Sequence, residues 1–375
     1  TSDAPAITIR DLLTMSSGLV GDDPWADRHL DLTDDELDRL VRHGLVFARP
    51  TGSCFEYSNF GFALLGRVVH QATGTRLREH VTERLLRPLG MHDTTWDRPD
   101  HDRWAPPRRW LDGEFVDEVP VLPDGALAPM GGLWSTVADL ARWIAWLADA
   151  FPARDGDDDG PLSRASRREM QTPQRYTGQR SLREVRAPVS YGYGTVVLDE
   201  PHGTVVGHSG GLPGYGSNMR WQPGGSVGVV ALSNCTYAPM TELAALVHDL
   251  IVEQGVVPDH RPTPDGPLAE LGTALLDVLA RWAQGQRVAD EQLATVFADN
   301  VGPDDAFERR ARRVAGHGPI TVTGVRATSD AAAEYTGVTA DGRAVTIAFS
   351  LAPTRPARIQ SCDVQVADTA VAASS

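Results

Sequence analysis

Thr204-Val205-Val206-Gly207-His208-Ser209-Gly210-Gly211 is the stretch that decides the fold. Its first half is β-branched and apolar, as a strand requires. Its second half is small, which lets a ligand approach the backbone closely. Gly207 to Gly211 is therefore expected at a strand end. There the Gly211 N–H is well placed as an oxyanion donor and His208 can position a hydroxyl or a carboxylate; read alone, the stretch also fits a Gly-rich hairpin turn with an incidental His. Residues 191–198, 217–221 and 227–232 are also short, β-branched or aromatic, and separated by Gly or Pro. They read as successive antiparallel strands. An amphipathic helix over 240–253 follows. Strands closed by a helix predict an α+β domain with helices packed on an antiparallel sheet.

Upstream the period changes to that of helices. Thr8 with Asp11 three residues on opens a short helix that Gly18 is expected to end. A helix over 59–73 stops at Gly74. Another over 75–87 carries Leu77, Val81 and Leu85 on one face and stops at Pro88. A fourth starts near Thr136, with Leu140, Trp143, Ile144 and Leu147 as its apolar stripe. Tyr57-Ser58-Asn59 lies just ahead of the second helix. A Tyr and an Asn two apart at a turn can face one cleft. The phenol needs a neighbouring cation to exchange protons, because only about one in a thousand is ionised at pH 7. The Asn amide can donate to a substrate carbonyl and accept from an ammonium.

Together these segments resemble the serine β-lactamase and penicillin-binding-protein family, in the branch near class C β-lactamases, D-aminopeptidases and esterases. Residues 7–19 are similar to the stretch that follows the nucleophile helix in that branch. Residues 57–66 are similar to its second motif and 131–141 to a further shared segment. His208-Ser209-Gly210-Gly211 is similar to the third motif, in a His variant. The resemblance covers about residues 5–255. It implies a serine hydrolase that works through an acyl-enzyme on an amide or ester: a β-lactam, a D-amino-acid peptide or a simple ester. It makes Tyr57 the acid or base and Asn59 the contact to substrate and lysine. It makes His208 the positioning residue and Gly211 an oxyanion donor. Ser209 and Gly210 join Asn59 and His208 in binding substrate. No metal or organic cofactor is implied.

One departure is large. No lysine occurs among the 375 residues; every basic side chain other than His is Arg. The family's Ser-x-x-Lys motif is therefore absent, and Arg cannot replace a lysine that must give up a proton. The expectation is an amino-terminally truncated piece, inactive alone, whose opened sheet edge and apolar face favour aggregation. A binding module of penicillin-binding type, for peptidoglycan fragments or a partner protein, is the non-catalytic alternative. Gly207-x-Ser209-x-Gly211 also matches the nucleophile elbow of α/β-hydrolases. An elbow must enter a helix at once, and Leu212-Pro213-Gly214-Tyr215-Gly216 breaks helices.

The net charge of -15 disfavours nucleic acid and anionic membranes as partners, since both are polyanions. The substrate is expected to be a small molecule or peptide, and no oligomeric state is read. No run has the length and apolarity of a membrane span. Cys54, Cys235 and Cys362 are far apart and odd in number, so they form neither a disulfide framework nor a zinc spacing. Position 1 is Thr and no signal-peptide pattern opens the chain, so export and compartment are not read. Residues 155–160 open like a calcium loop, but Ser166 stands where its twelfth-position Glu belongs. They read as a solvated acidic loop. The expected organisation is a hydrolase domain over 1–256, a Pro-rich linker over 257–267, a small α+β accessory domain over 268–369 and a tail over 370–375. Arg309, Arg310, Arg312 and Arg313 read as a solvated helix face.

Overall fold

A computed structural model describes residues 5–100, 104–151, 154–158, 160–182, 185–200, 203–224, 227–254, 264–298 and 316–370. The chain divides into two compact units, residues 1–258 and 259–375. The Arg cluster at 309–313 and residues 371–375 of the expected tail lie outside the described residues, as do residues 257–263 of the expected linker.

Unit 1 opens with α1 (Ile9–Leu13), capped by Thr8, whose hydroxyl accepts the Asp11 N–H while the Asp11 carboxylate accepts the Thr8 N–H. Gly18 does not end this helix. Thr14 caps it and Met15 takes the left-handed turn at φ 53°. Then come α2 (Asp34–His43), α3 (Asn59–Thr73) and α4 (Leu77–Val81), the last continuing as a π turn over Thr82–Leu86. Gly74 closes α3 in the left-handed conformation, φ 70°, where a side chain would be strained. The hairpin β1 (Arg108–Leu111) and β2 (Glu114–Asp117) turns at Asp112-Gly113, both at positive φ. α5 (Val137–Ala148) and α6 (Arg164–Met170) lead into the main sheet. In the acidic loop ahead of α6, Asp158 accepts the Arg164 N–H and pairs with Arg167, which gives that loop a capping role.

The main sheet holds six antiparallel strands in sequence order: β3 (Arg175–Leu182), β4 (Val185–Tyr191), β5 (Val196–Glu200), β6 (Gly203–Leu212), β7 (Tyr215–Trp221) and β8 (Gly228–Ser233). The expected single strand over 191–198 is two strands. Gly192, Tyr193 and Gly194 break it, and Gly192 approaches Met170 so closely that a Cβ would lie 2.2 Å from its carbonyl oxygen. α7 (Met240–Glu253) packs on β7 and β8. On the sheet, Val197, Val206 and Trp221 bury against Ile144, Leu147 and Ala148 of α5. The buried Trp221 indole N–H donates to Gln171 at 2.8 Å.

Unit 2 is α8 (Gly266–Ala283), α9 (Asp290–Val296) and a four-stranded antiparallel sheet. Its strands are β9 (Ile320–Ser329), β10 (Ala332–Thr339), β11 (Arg343–Leu351) and β12 (Ile359–Ala370). Gly266 and Pro267, expected in the linker, open α8, where Pro in the first turn needs no N–H partner. Ala370, expected in the tail, closes β12. Leu275, Val278, Ile347 and Ile359 are fully buried in one core, each burial contributing about 1.5–3 kcal/mol. No helix of the described residues is long and apolar enough to cross a membrane.

Candidate active site

Tyr57 and Asn59 reach the site because Ser58 starts α3. Ser58 sits in extended conformation and its hydroxyl accepts the Gly61 N–H. A second cap comes from a distant loop. Asp22 accepts the backbone N–H groups of Asn59 at 2.9 Å and Phe60 at 2.7 Å, and the Ser58 hydroxyl at 3.2 Å. A carboxylate at a helix N-terminus is favoured by the exposed N–H groups and the helix dipole. The same loop supplies Asp23, which accepts from the Asn59 side-chain amide at 2.6 Å, while Asp22 accepts from it at 3.2 Å. Asn59 therefore presents its amide N–H groups to two carboxylates. A substrate carbonyl must displace one of them to be bound there.

Asp27 completes an acidic group beside the phenol of Tyr57. Burial, then Asp23, Asp22 and Asp27, push the Tyr57 pKa far above the ordinary phenol value. Burial and the neighbouring carboxylates also push Asp27 upward, against the hydrogen bond it accepts from Tyr237 at 2.6 Å. The site thus concentrates negative charge around a phenol that stays protonated.

On the sheet side His208 meets Tyr57 and Tyr191. Its ring centroid lies 6.3 Å from Tyr57 and 6.0 Å from Tyr191, and the two tyrosines meet edge to face at 6.4 Å. Nδ1 of His208 lies 2.6 Å from the Ser209 carbonyl oxygen. A carbonyl only accepts, so Nδ1 carries the hydrogen. Nε2 is then the lone-pair nitrogen and accepts the Tyr191 hydroxyl at 3.2 Å. Burial holds the His208 pKa below its usual value, which favours this neutral tautomer. Phe55 packs on Tyr191 with ring centroids 5.4 Å apart.

The motif lies within a strand and not at its end. β6 runs through Leu212, pairing Ser209 with Asn218, Gly210 with Ser217 and Gly211 with Gly216 of β7. Its pairing with β5 stops at Gly207 opposite Val196. Residues 208–212 therefore have a strand partner on one side, and the other side is an edge where backbone groups are open to a ligand. A Cβ on Gly211 would lie 2.5 Å from the Tyr237 ring, and one on Gly210 2.5 Å from the Ser217 hydroxyl. Only glycine lets this edge pass under Tyr237. Ser209 is in extended strand and not on a strand-to-helix turn, so the nucleophile elbow is excluded on geometry.

Tyr57, Asn59, His208 and Gly211 thus converge through shared neighbours: the Asp22–Asp27 loop for the first two, Tyr191 for His208 and Tyr237 for Gly211. Sequence reasoning did not single out Asp22, Asp23, Asp27, Tyr191 or Tyr237. Tyr191 opens Tyr191-Gly192-Tyr193-Gly194, a pattern that marks a break with an aromatic at its lip. Asp22, Asp23 and Tyr237 lie on loops and Asp27 in a single 3-10 turn (Ala26–Arg28), none of which carries a periodic signal.

The Beta-lactamase family model matches residues 1–253. Penicillin-binding protein 4* of Bacillus subtilis (strain 168) is 28% identical over 235 residues, which are 57% of this chain and 48% of that protein. Esterase EstB of Burkholderia gladioli is 31% identical over 257 residues, 58% of this chain and 59% of that one. The chain spans about half the length of the curated relatives it matches. The octameric penicillin-binding protein homologue from Pyrococcus abyssi has a TM-score of 0.54 at 18% identity, over 96% of this chain and 78% of that chain. At that identity the likeness shows the fold alone, which is of the β-lactamase/transpeptidase type with a further sheet after it. From its third-motif strand to its family match, the chain belongs to the beta-lactamase family.

Proposed function

We propose that this site is the substrate-contacting and proton-handling part of a serine hydrolase that acts through an acyl-enzyme on an amide or ester. The observation that carries the reading is the convergence of the Tyr57 and His208 rings beside the one-sided edge of β6. In this reading the edge at Gly211 donates its N–H to the developing oxyanion. His208, fixed with hydrogen on Nδ1, positions the substrate. Tyr57 relays a proton once a cation stands among Asp22, Asp23 and Asp27, because a cation there offsets the burial and the three carboxylates that raise its pKa. Asn59 turns from Asp23 toward the substrate carbonyl. The nucleophile and its lysine are not among these residues, which contain no lysine. The 375 residues by themselves are expected to form no acyl adduct. The substrate class follows the family's chemistry: a β-lactam, a D-amino-acid amide or peptide, or a simple ester.

The test uses the protein as its own reading frame encodes it. It is incubated with a fluorescent penicillin, p-nitrophenyl acetate and a D-alanyl anilide, and its intact mass is followed. Expected is a mass gain equal to the acyl group with at least one probe, with turnover reduced about 10²–10⁴-fold in Tyr57→Phe. No adduct and no turnover with all three would overturn the reading. A non-catalytic binding module is the second reading, favoured by the absence of lysine and by the carboxylates that occupy the Asn59 amide. Saturable binding of a D-alanyl-D-alanine peptide without hydrolysis, lost in His208→Ala, would support it.

A further inference from the structure

The layer between α7 and the sheet is polar where an apolar layer is the norm. His248, on the inner face of α7, is 1% exposed, and neither of its ring nitrogens has a hydrogen-bond partner. Opposite it, alternate residues of β7 turn inward. Asn218 donates to Thr241 of α7 at 3.3 Å, and Arg220 donates to Glu200 at 2.7 Å. The Asn218 amide oxygen and Arg220 Nε also lack partners. Buried polar groups without partners are rare in native interiors and call for a ligand, an ion or ordered water. Here four such atoms gather on two packed elements.

Among the described residues, Glu200, His248 and Asp249 are the only three His, Cys, Asp or Glu side chains whose ligand atoms all lie within 4.8 Å of one another. Nδ1 of His248 is 3.6 Å from the Asp249 carboxylate. A tetrahedral zinc with ligands at about 2.0–2.1 Å has ligand–ligand edges of about 3.3–3.4 Å. The His–Asp pair is near that spacing, and the Glu200 oxygen lies within 4.8 Å of both. We propose that Glu200, His248 and Asp249 form a binding site for a divalent transition ion of the zinc class, away from the Tyr57–His208 site.

The chemistry of the donors selects the ion. One imidazole and two carboxylates suit zinc, with the fourth position left to water. Calcium takes six to eight oxygens and magnesium an octahedron of oxygens, neither of which this set supplies. At neutral pH an imidazole is mostly unprotonated, so the lone pair a metal needs is present. Arg220 holds one Glu200 oxygen and leaves the other for the ion, as hydrogen-bonded carboxylates do around bound metals. The Glu200 and Asp249 side chains are 13% and 26% exposed, which opens an entry path on the carboxylate side. A bound ion would tie β5 to α7 over the intervening strands β6 and β7.

The protein is stripped with a chelator, and zinc is titrated by calorimetry with the thermal midpoint followed in parallel. Expected is one zinc per chain and a midpoint that rises with zinc concentration. Affinity should fall at least tenfold in Glu200→Gln and again in His248→Gln. Cobalt on the unaltered protein reads the geometry even if a variant fails to fold: an intense visible band marks a tetrahedral site. Stoichiometry far below one, full affinity in both variants, or the weak spectrum of octahedral cobalt would each overturn the proposal.

Discussion

Unit 2 packs α8, α9 and four strands into one continuous apolar core, from Leu268 through Ile359 to Val364. Unit 1 divides its core among three clusters, around Leu37 and Phe60, around Trp221, and around Leu30 and Trp96. Among the described residues, the buried polar side chains lie nearly all in unit 1: Asp27, Asn59, Asp139, Arg167, Gln171, Arg220 and His248 among them, against Thr339 alone in unit 2. A single apolar core yields stability with few special contacts. A core broken by polar layers must satisfy each buried group, and it retains those layers where chemistry or ligand binding needs them. The contrast predicts that the two units answer differently to the same kind of perturbation.

The largest effect is expected from Leu275→Ala, at a fully buried position of α8. It should cost about 2–5 kcal/mol. In scanning calorimetry the transition of unit 2 should drop while that of unit 1 holds. If both drop together, the two units do not melt separately and the comparison fails. Next is Gly211→Val. The first added carbon already meets the Tyr237 ring, so the cost is about 1–3 kcal/mol in urea unfolding. It falls on unit 1 and closes the β6 edge. An unchanged urea midpoint would mean that Tyr237 moves freely and that the edge is not shaped by glycine. Thr136→Ala should cost about 1 kcal/mol, because the Thr136 hydroxyl caps α5 by accepting the Asp139 N–H at 3.2 Å.

The smallest effect is a pH slope. His208 has a folded pKa below the ordinary 6.5, so its contribution is fully present above 6.5. It is lost as pH falls below that value, where the unfolded chain binds the proton first. His248 shares the direction. In His208→Gln the thermal midpoint of unit 1 should fall less between pH 7 and pH 5 than in the unaltered chain. Equal slopes would remove His208 from the account. Asp23 and Asp27 act with opposite sign, since raised carboxylates take up protons in the folded state first and add stability as pH falls through their folded values. The variant difference is therefore the quantity to read. In unit 2, hydrogen bonds from Thr339 and His317 lower Asp341 to about 2. Its contribution holds above the ordinary 3.8 and is lost as pH falls toward about 2, a window well below that of His208.

Some elements were legible because one local rule set each boundary. Ser58 and Gly74 frame α3, and Thr136 opens α5. Other elements had signals that were passed over. Thr33 and Glu36 form a capping box ahead of α2, and Asp112-Gly113 is a hairpin turn between β1 and β2. α2 even places Leu37, Leu40 and Val41 at helical spacing, whereas the hairpin strands, four residues each, are too short to show a period. Two glycines split the expected strand at 191–198, which turned Tyr191 from a strand opener into the partner of His208.

By itself the amino-acid order determined the family, the antiparallel sheet and the lack of any lysine, and it proposed Tyr57, Asn59, His208 and Gly211 as motif residues. Those properties are local, because a turn, a period or a residue count is written within a few positions. Only the tertiary structure decided which carboxylates stand around Tyr57, which tautomer His208 takes, and that Glu200 of β5 meets His248 and Asp249 of α7. The carboxylates and the Glu200–His248–Asp249 group join positions tens apart, and the tautomer, though set by the adjacent Ser209 carbonyl and by Tyr191, depends on the folded strand geometry. Their energies come from burial and short distances that exist only once the sheet and its helices have closed.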